Sequence, residues 1–253
     1  NIGFVVGGRC VAVIDTGGSP AVGRALRRAV RAVTERPICY VINTHVHPDH
    51  ILGNLAFEGD DPDYVGHHRL PEAIAARGEY YRTSVARALG RELPDGVLVA
   101  PDRVVEDERV LDLGGRELRL QALPPAHTDN DLLVEDSATG TLWASDLVFV
   151  DRAPSLDGSL KGWLAVLDRL MGMPAARAVP GHGPPSVSWP AGAEPLHGYL
   201  ETLLRRTRRA LEEGATMEEA VERVGRVGRG DWRLLEHTHR RNVMAAYAEL
   251  EWE

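Results

Sequence analysis

The stretch Ile38-Cys39-Tyr40-Val41-Ile42-Asn43-Thr44-His45-Val46-His47-Pro48-Asp49-His50 decides how the rest of the chain is read. Its first five residues are an apolar, β-branched run that predicts a strand. The segment that follows packs three histidines and an aspartate into the six positions from His45 to His50. Imidazole and carboxylate at this density make a metal site by residue type and spacing. Alternate side chains of an extended segment face the same way, so His45 and His47 can grip one ion together. Asp49 and His50 fall further round the turn and can reach a second ion beside it. Four donors from one turn cannot complete two coordination shells, so others must come from downstream.

Three later positions supply them. His127 stands in Pro124-Pro125-Ala126-His127-Thr128, Asp146 in Ala144-Ser145-Asp146-Leu147, and His182 in Pro180-Gly181-His182-Gly183-Pro184. His127 and Asp146 are each expected just past a strand, and His182 in a turn after the apolar run 176–179. Loops at strand ends on one rim of a sheet are where α/β sites collect. Six or seven nitrogen and oxygen ligands without a thiolate suit zinc first, with iron or manganese allowed.

Around this cluster the pattern is α/β. Ile2–Val6 and Cys10–Ile14 read as strands joined at Gly7-Gly8. Ser19-Pro20 opens a helix to about Val33, with serine as cap and proline in the first turn. A short strand at Tyr64-Val65 leads into His67-His68 and a mostly helical stretch to about Gly90. Strands are expected at 102–105, 109–113, 117–123, 131–135 and 141–144, with Gly114-Gly115 as a hairpin turn. Runs of strands between helical segments suggest two packed sheets with helices outside. From Ala193 the spacing turns helical, at 199–213, 217–224 and 232–250. This tail reads as a helical layer or a dimer surface, and neither use is preferred.

At 253 residues and 43% hydrophobic the chain can bury a full core. A formal charge of −8 argues against a nucleic-acid partner. No apolar run approaches the roughly 20 residues needed to span a bilayer. Cys10 and Cys39 sit in apolar, strand-like runs with no metal-ligand spacing, which leaves a buried thiol pair or a disulfide open.

In the order and spacing of His45-x-His47-x-Asp49-His50, His127, Asp146 and Gly181-His182, the chain resembles the metallo-β-lactamase superfamily. The resemblance covers about residues 1–190. It implies a four-layer αββα sandwich in a single domain over 1–253, with a core at 1–190 and a helical C-terminal segment at 191–253. It also implies that His45, His47 and His127 hold the first metal, that Asp49, His50 and His182 hold the second, and that Asp146 bridges them. A bridging aspartate is expected in the thioesterase and glyoxalase-like branch. Dedicated β-lactamases lack it, and those with cysteine on the second metal do not fit, because neither Cys10 nor Cys39 falls at that position.

A narrower resemblance lies in Val41–Asn54, in Val65-Gly66-His67-His68 and in Asp157-Gly158-Ser159-Leu160-Lys161-Gly162-Trp163. These stretches look like the quinoprotein relay system zinc metallohydrolases, relatives of the sulfur-oxidation cluster hydrolase. That group implies a periplasmic setting and a quinoprotein dehydrogenase system as partner. The chain starts at Asn1 inside a strand-like run, so a removed leader and a cytoplasmic location both stay open.

The expected activity is binuclear zinc hydrolysis. A hydroxide held by two ions would attack the carbonyl of a small thioester, ester, lactone or amide, with Asp49 orienting it and shuttling the proton. The alternatives are an iron-dependent persulfide dioxygenase-type oxidoreductase, a β-lactamase-like enzyme with weak β-lactam cleavage, and a binding component of the relay. Asp15 and Thr44 are candidates to fix the ligand histidines from behind. Lys161 is a candidate anchor for a substrate carboxylate or phosphate, against a plain surface lysine. His67 and His68 are candidates for substrate contact, against a helix cap. Tyr80, Tyr81 and Trp163 could line an apolar mouth, although aromatics at helical spacing are more often core. His197, His237 and His239 read as surface or interface residues.

Overall fold

The computed structural model describes residues 1–225, 227 and 232–253, with the side chain of His237 outside the described residues. It is a mixed α/β protein with two sheets and accompanying helices, as the sequence predicts. The chain divides into two compact units. The first comprises Asn1–Ala122 and Asn130–Thr139, and the second Leu123–Asp129 and Gly140–Glu253.

In the first unit a five-stranded sheet runs in the order β1 (Gly3–Val6), β2 (Val11–Ile14), β3 (Ile38–Ile42), β4 (Asp63–His67), β5 (Arg103–Val105). β1 and β2 form the expected hairpin, and β2 through β5 are parallel. Helix α1 (Pro20–Val33) crosses from β2 to β3, and Ser19 caps it by accepting from Val22 N. A one-turn helix, α2 (Pro48–Ile51), and a 3-10 segment (Asn54–Asp60) follow β3. Helix α3 (Leu70–Leu89) joins β4 to the segment before β5. Leu26 and Val30 of α1 pack on Val11, Val13, Ile38 and Val41, so one apolar stripe of the helix covers one face of the sheet. Asp60 pins the other side of α1 through Arg27 and Arg31. Burial works against its ionisation, but the two guanidiniums outweigh that and hold the carboxyl below its ordinary pKa. An antiparallel meander completes the unit, with β6 (Glu108–Asp112), β7 (Glu117–Ala122) and β8 (Leu132–Asp136). Gly114 and Gly115 make its first turn with φ of 90° and 76°, a region open to glycine at no steric cost.

Cys10 and Cys39 form a disulfide, which decides what their spacing leaves open. It ties the start of β2 to its parallel neighbour β3, across a sequence separation of 29. Closing a loop of that length removes unfolded-state entropy worth about 3–4 kcal/mol. Urea unfolding with and without reductant should show a loss of that order, and equal midpoints would show that the bridge contributes nothing.

The second unit contains β9 (Thr141–Phe149), β10 (Arg177–His182) and the short β11 (Val187–Ser188). With them are α4 (Leu160–Met171), α5 (Glu194–Glu212), α6 (Met217–Val224) and α7 (Leu235–Leu250). β9 and β10 are parallel, and β10 and β11 antiparallel. Two expectations are corrected here. Asp146 lies inside a strand that continues to Phe149, and His182 is the last residue of β10. The pairing explains the difference: the register shifts between Val179 and Pro180 and again before His182, and Ser145 takes a left-handed φ of 47°. A bulged strand re-aims its side chains without ending, so a polar break in the sequence reads as a terminus. The last helix begins at Leu235 because Leu234 adopts a φ of 59°. Among the described residues no helix is long and apolar enough to cross a membrane.

Candidate metal centre

The first donor set follows from the parallel pairing of β2 with β3. Ile14 is registered with Ile42, so the residues just past both strands meet. Asp15 there accepts from Thr44 N at 2.8 Å and from the Thr44 hydroxyl at 2.8 Å, and its Oδ2 lies 2.8 Å from Nδ1 of His50. Thr44 Oγ1 is in turn 3.1 Å from Nδ1 of His45. The proton positions follow from these roles. The threonine proton goes to the carboxylate, so His45 Nδ1 must be the donor to Thr44. The carboxylate can only accept, so His50 Nδ1 carries its proton too. Both imidazoles are thereby held with Nε2 as the lone-pair nitrogen, the tautomer a metal ligand needs. Asp15 is 1% exposed and sits at a φ of 55°, a left-handed conformation costly for a non-glycine residue. These are the contacts that the expected supporting role of Asp15 and Thr44 requires.

His45 Nε2 and His47 Nδ1 converge to 3.1 Å, as alternate positions on an extended segment should. Asp49 is half exposed and lies 3.7 Å from His50 Nε2. Behind the turn, Asn43 and Asn54 exchange side-chain hydrogen bonds at 3.0 and 2.7 Å, and the Thr16 hydroxyl donates to Asn54. The pattern does not reveal this buried amide pair, because an asparagine beside a turn is ordinarily a turn residue.

The second unit holds the other three donors together. Asp146 Oδ2 lies 3.5 Å from Nε2 of His127 and 3.3 Å from Nε2 of His182, one carboxylate oxygen set between two imidazoles. Gly181 is the reason the strands come close enough. A Cβ there would stand 1.8 Å from Asp146 Oδ1 and 2.6 Å from Asp146 N, so any other residue would push Asp146 away. His127 Nδ1 lies 2.7 Å from the carbonyl of Ser155, which again leaves Nε2 as the lone-pair nitrogen. Trp163 is fully buried, donates to Leu147 O and stacks edge-on against His127, so it belongs to the wall behind that histidine and not to a mouth.

The C-terminal helices reach this loop. Asn242 of α7 accepts from Leu156 N at 3.0 Å and donates to Pro154 O at 2.7 Å, bracketing the Ser155 carbonyl that faces His127. Glu249 accepts from the Ser159 hydroxyl and from Leu160 N at the start of α4. Sequence reading offers no signal for either residue, since each acts across a long sequence separation. His239 is also not a surface residue. It is 7% exposed, bonded to the Tyr199 hydroxyl at 2.9 Å and to Gly225 O at 2.6 Å, and burial lowers its pKa.

The remaining candidates differ in what they touch. Lys161 ion-pairs with Glu253 at 2.6 Å in a groove between α4 and α5. His67 Nδ1 accepts from Arg69 N just before α3, and its ring stacks on His68 at 4.2 Å. His197 pairs with Asp168 on the surface. Tyr80 is exposed, whereas Tyr81 stands edge-on to His47 with ring centres 6.0 Å apart.

The donor chemistry fits a divalent metal: imidazoles with oriented Nε2 atoms, a carboxylate between two of them and no thiolate. Comparison with known proteins agrees. A linear primary-alkylsulfatase of Pseudomonas sp. is 24% identical over 261 residues, covering 84% of this chain and 47% of that protein. The human acyl-coenzyme A thioesterase MBLAC2 is 29% identical over 184 residues, covering 65% of this chain and 61% of that one. Thus the chain spans about half the length of the one and under two thirds of the other. Among solved structures, a metallo-beta-lactamase from Pontibacter korlensis superposes with a TM-score of 0.61 at 20% identity, covering 78% of this chain and 85% of that one. The sec-alkylsulfatase Pisa1 from Pseudomonas sp. gives 0.74 at 17% identity, covering 98% and 46%. These likenesses carry the fold, and the family model described as the metallo-beta-lactamase superfamily matches residues 1–182, from the first strand to the last histidine of the motif. With its fold, its motif and most of its length in agreement, the chain belongs to the metallo-β-lactamase superfamily.

Proposed function

We propose that this protein is a binuclear metal-dependent hydrolase of a small thioester or ester. His45, His47 and His127 would hold one ion, Asp49, His50 and His182 the other, and Asp146 would stand between them. The observation that carries this reading is the orientation of the imidazoles. Asp15, Thr44 and Ser155 O each engage a Nδ1 atom, so Nε2 of His45, His50 and His127 is the coordinating nitrogen in all three. Zinc suits this nitrogen and oxygen set, with iron and manganese the other candidates. A pair of such ions supplies a Lewis acid for the substrate carbonyl and a water acidified to near neutral pH. Asp49, half exposed beside His50, is the residue placed to orient that water and to carry its proton to the leaving group.

Thioester hydrolysis accords with the thioesterase relative. Sulfate-ester hydrolysis is the second reading, favoured by the alkylsulfatase whose alignment takes in most of this chain. An acyl thioester, a lactone, a primary alkyl sulfate and a β-lactam, offered to zinc-loaded protein, would separate the two. Turnover of the thioester well above that of the sulfate is expected. The reverse order would establish the second reading, and no turnover of any of them would remove hydrolysis of these classes.

We propose a periplasmic location from the resemblance to the quinoprotein relay metallohydrolases, and the disulfide accords with an oxidising compartment. A quinoprotein dehydrogenase system as partner rests on the resemblance of Val41–Asn54, 65–68 and 157–163 alone.

A further inference from the structure

Helix α7 carries two polar side chains that reach back to the loop behind His127. That loop runs from Pro154 to Lys161 and lies along the segment that holds the histidine. Asp157 N donates to His127 O at 3.0 Å, and Ser159 N to Ala126 O at 2.9 Å. The close approach depends on glycine at 158, where a Cβ would stand 2.5 Å from Ala126 O and 2.6 Å from Thr128 O. From this loop the Ser155 carbonyl meets His127 Nδ1 at 2.7 Å.

α7 holds the loop at both ends. Asn242 accepts from Leu156 N and donates to Pro154 O, one residue to either side of Ser155. Glu249, about two turns further along and so on the same face of the helix, accepts from the Ser159 hydroxyl at 2.8 Å and from Leu160 N at 2.6 Å. The amide is itself held in one orientation. Its two main-chain partners are a donor and an acceptor, which fixes Oδ1 and Nδ2. The second N–H goes to the Tyr199 hydroxyl at 2.9 Å. That hydroxyl must then pass its proton to His239 Nδ1, and His239 Nε2–H donates to Gly225 O. Asn242, Tyr199 and His239 are all buried. A buried network with every donor used specifies one geometry, whereas an apolar contact between helix and loop would permit several.

We propose that α7 is a positioning element for the metal centre. Asn242 is its positioning residue: it holds the Ser155 carbonyl against His127 Nδ1 and so keeps Nε2 of that histidine for the metal. The inference rests on the metal assignment of His127 proposed above and on no particular reaction. The family match ends at residue 182, so this task falls to the segment that follows it.

The test has two readings. Competition with a chelator measures zinc affinity. Long-range proton–nitrogen correlation NMR of metal-free protein reads the His127 ring, assigned by the loss of its signals in His127→Asn. Asn242→Leu nearly keeps the volume and removes all three hydrogen bonds. It should lower zinc affinity about 10-fold, the low end for partners that orient a metal-bound imidazole, and move the ring from the Nδ1–H towards the Nε2–H form. Glu249→Ala, at a half-buried position, should produce a smaller change in the same direction. Val243→Ala removes buried hydrocarbon from the same helix. Its unfolding midpoint should fall while zinc affinity and the ring spectrum stay at wild type. Unaltered zinc affinity or an unaltered ring spectrum in Asn242→Leu overturns the proposal, as does an equal loss of affinity in Val243→Ala. Should Asn242→Leu fail to fold, Glu249→Ala decides by the same two readings. If wild type takes up no zinc, the metal assignment fails by itself, and the ring spectra of the variants decide whether α7 positions His127.

Discussion

Replacing Asp15 with alanine is expected to weaken metal binding by about 10–100-fold and to destabilise the metal-free protein by about 3–5 kcal/mol. Three buried donors lose their acceptor at once: Thr44 N, the Thr44 hydroxyl and His50 Nδ1. Each buried group left unsatisfied costs about 1–3 kcal/mol, and local rearrangement recovers part of the sum. The effect on metal binding has a separate origin. Without the carboxylate, His50 is no longer held in the tautomer that leaves Nε2 for coordination, and Thr44 is released from its role toward His45. Urea unfolding of metal-free protein reads the first effect, and competition with a chelator reads the second. Asp15→Asn separates them further. Its amide oxygen can still accept from Thr44, but its NH2 would face the N–H of His50, donor against donor. Metal affinity should therefore fall more than stability does, and wild-type affinity in Asp15→Asn would sink the tautomer argument.

The second large effect is expected at Asp146. With alanine there, the metal content of protein purified without added metal should fall from about two ions per chain towards one, and hydrolysis should drop by more than about 100-fold. Its Oδ2 lies within 3.5 Å of both His127 and His182, so its removal uncouples two histidines assigned to different ions. The strand should survive, because the β9–β10 ladder runs through main-chain atoms and Gly181 leaves space on that side. Circular dichroism and unfolding midpoints close to wild type would show this. Elemental analysis also decides between chemistries. Two zinc ions in wild type and fewer in the variant fit the bridged hydrolase. One iron per chain, indifferent to Asp146, would place the protein with the iron-dependent oxygenases.

Both predictions join a local motif to contacts made at long range, and the two differ in how far the sequence discloses them. The donors from His45 to His50 are legible because they lie on one turn, where spacing along the chain is spacing in space. The same holds for Ser19-Pro20 at the start of α1, for the glycine pair between β6 and β7, and for the apolar runs that became β2 and β3. Each depends on backbone preferences within a few residues. The order of His127, Asp146 and His182 completes the family pattern, so the superfamily could be recognised before any contact was known.

Tertiary structure alone decided the rest. Whether Cys10 and Cys39 were thiols or a bridge depended on β2 and β3 being parallel neighbours in one sheet. Asp146 reads as a residue past a strand end, and only the shifted pairing with β10 shows a bulged strand passing through it. Asn242 holds the main chain beside Ser155, and Arg233 comes alongside Arg152, across sequence separations that no periodicity spans. Hydrophobic patterning states which face of an element is buried, and local chemistry states where an element starts and stops. Which distant polar group then meets which is set by strand register and helix packing, and these are properties of the whole fold.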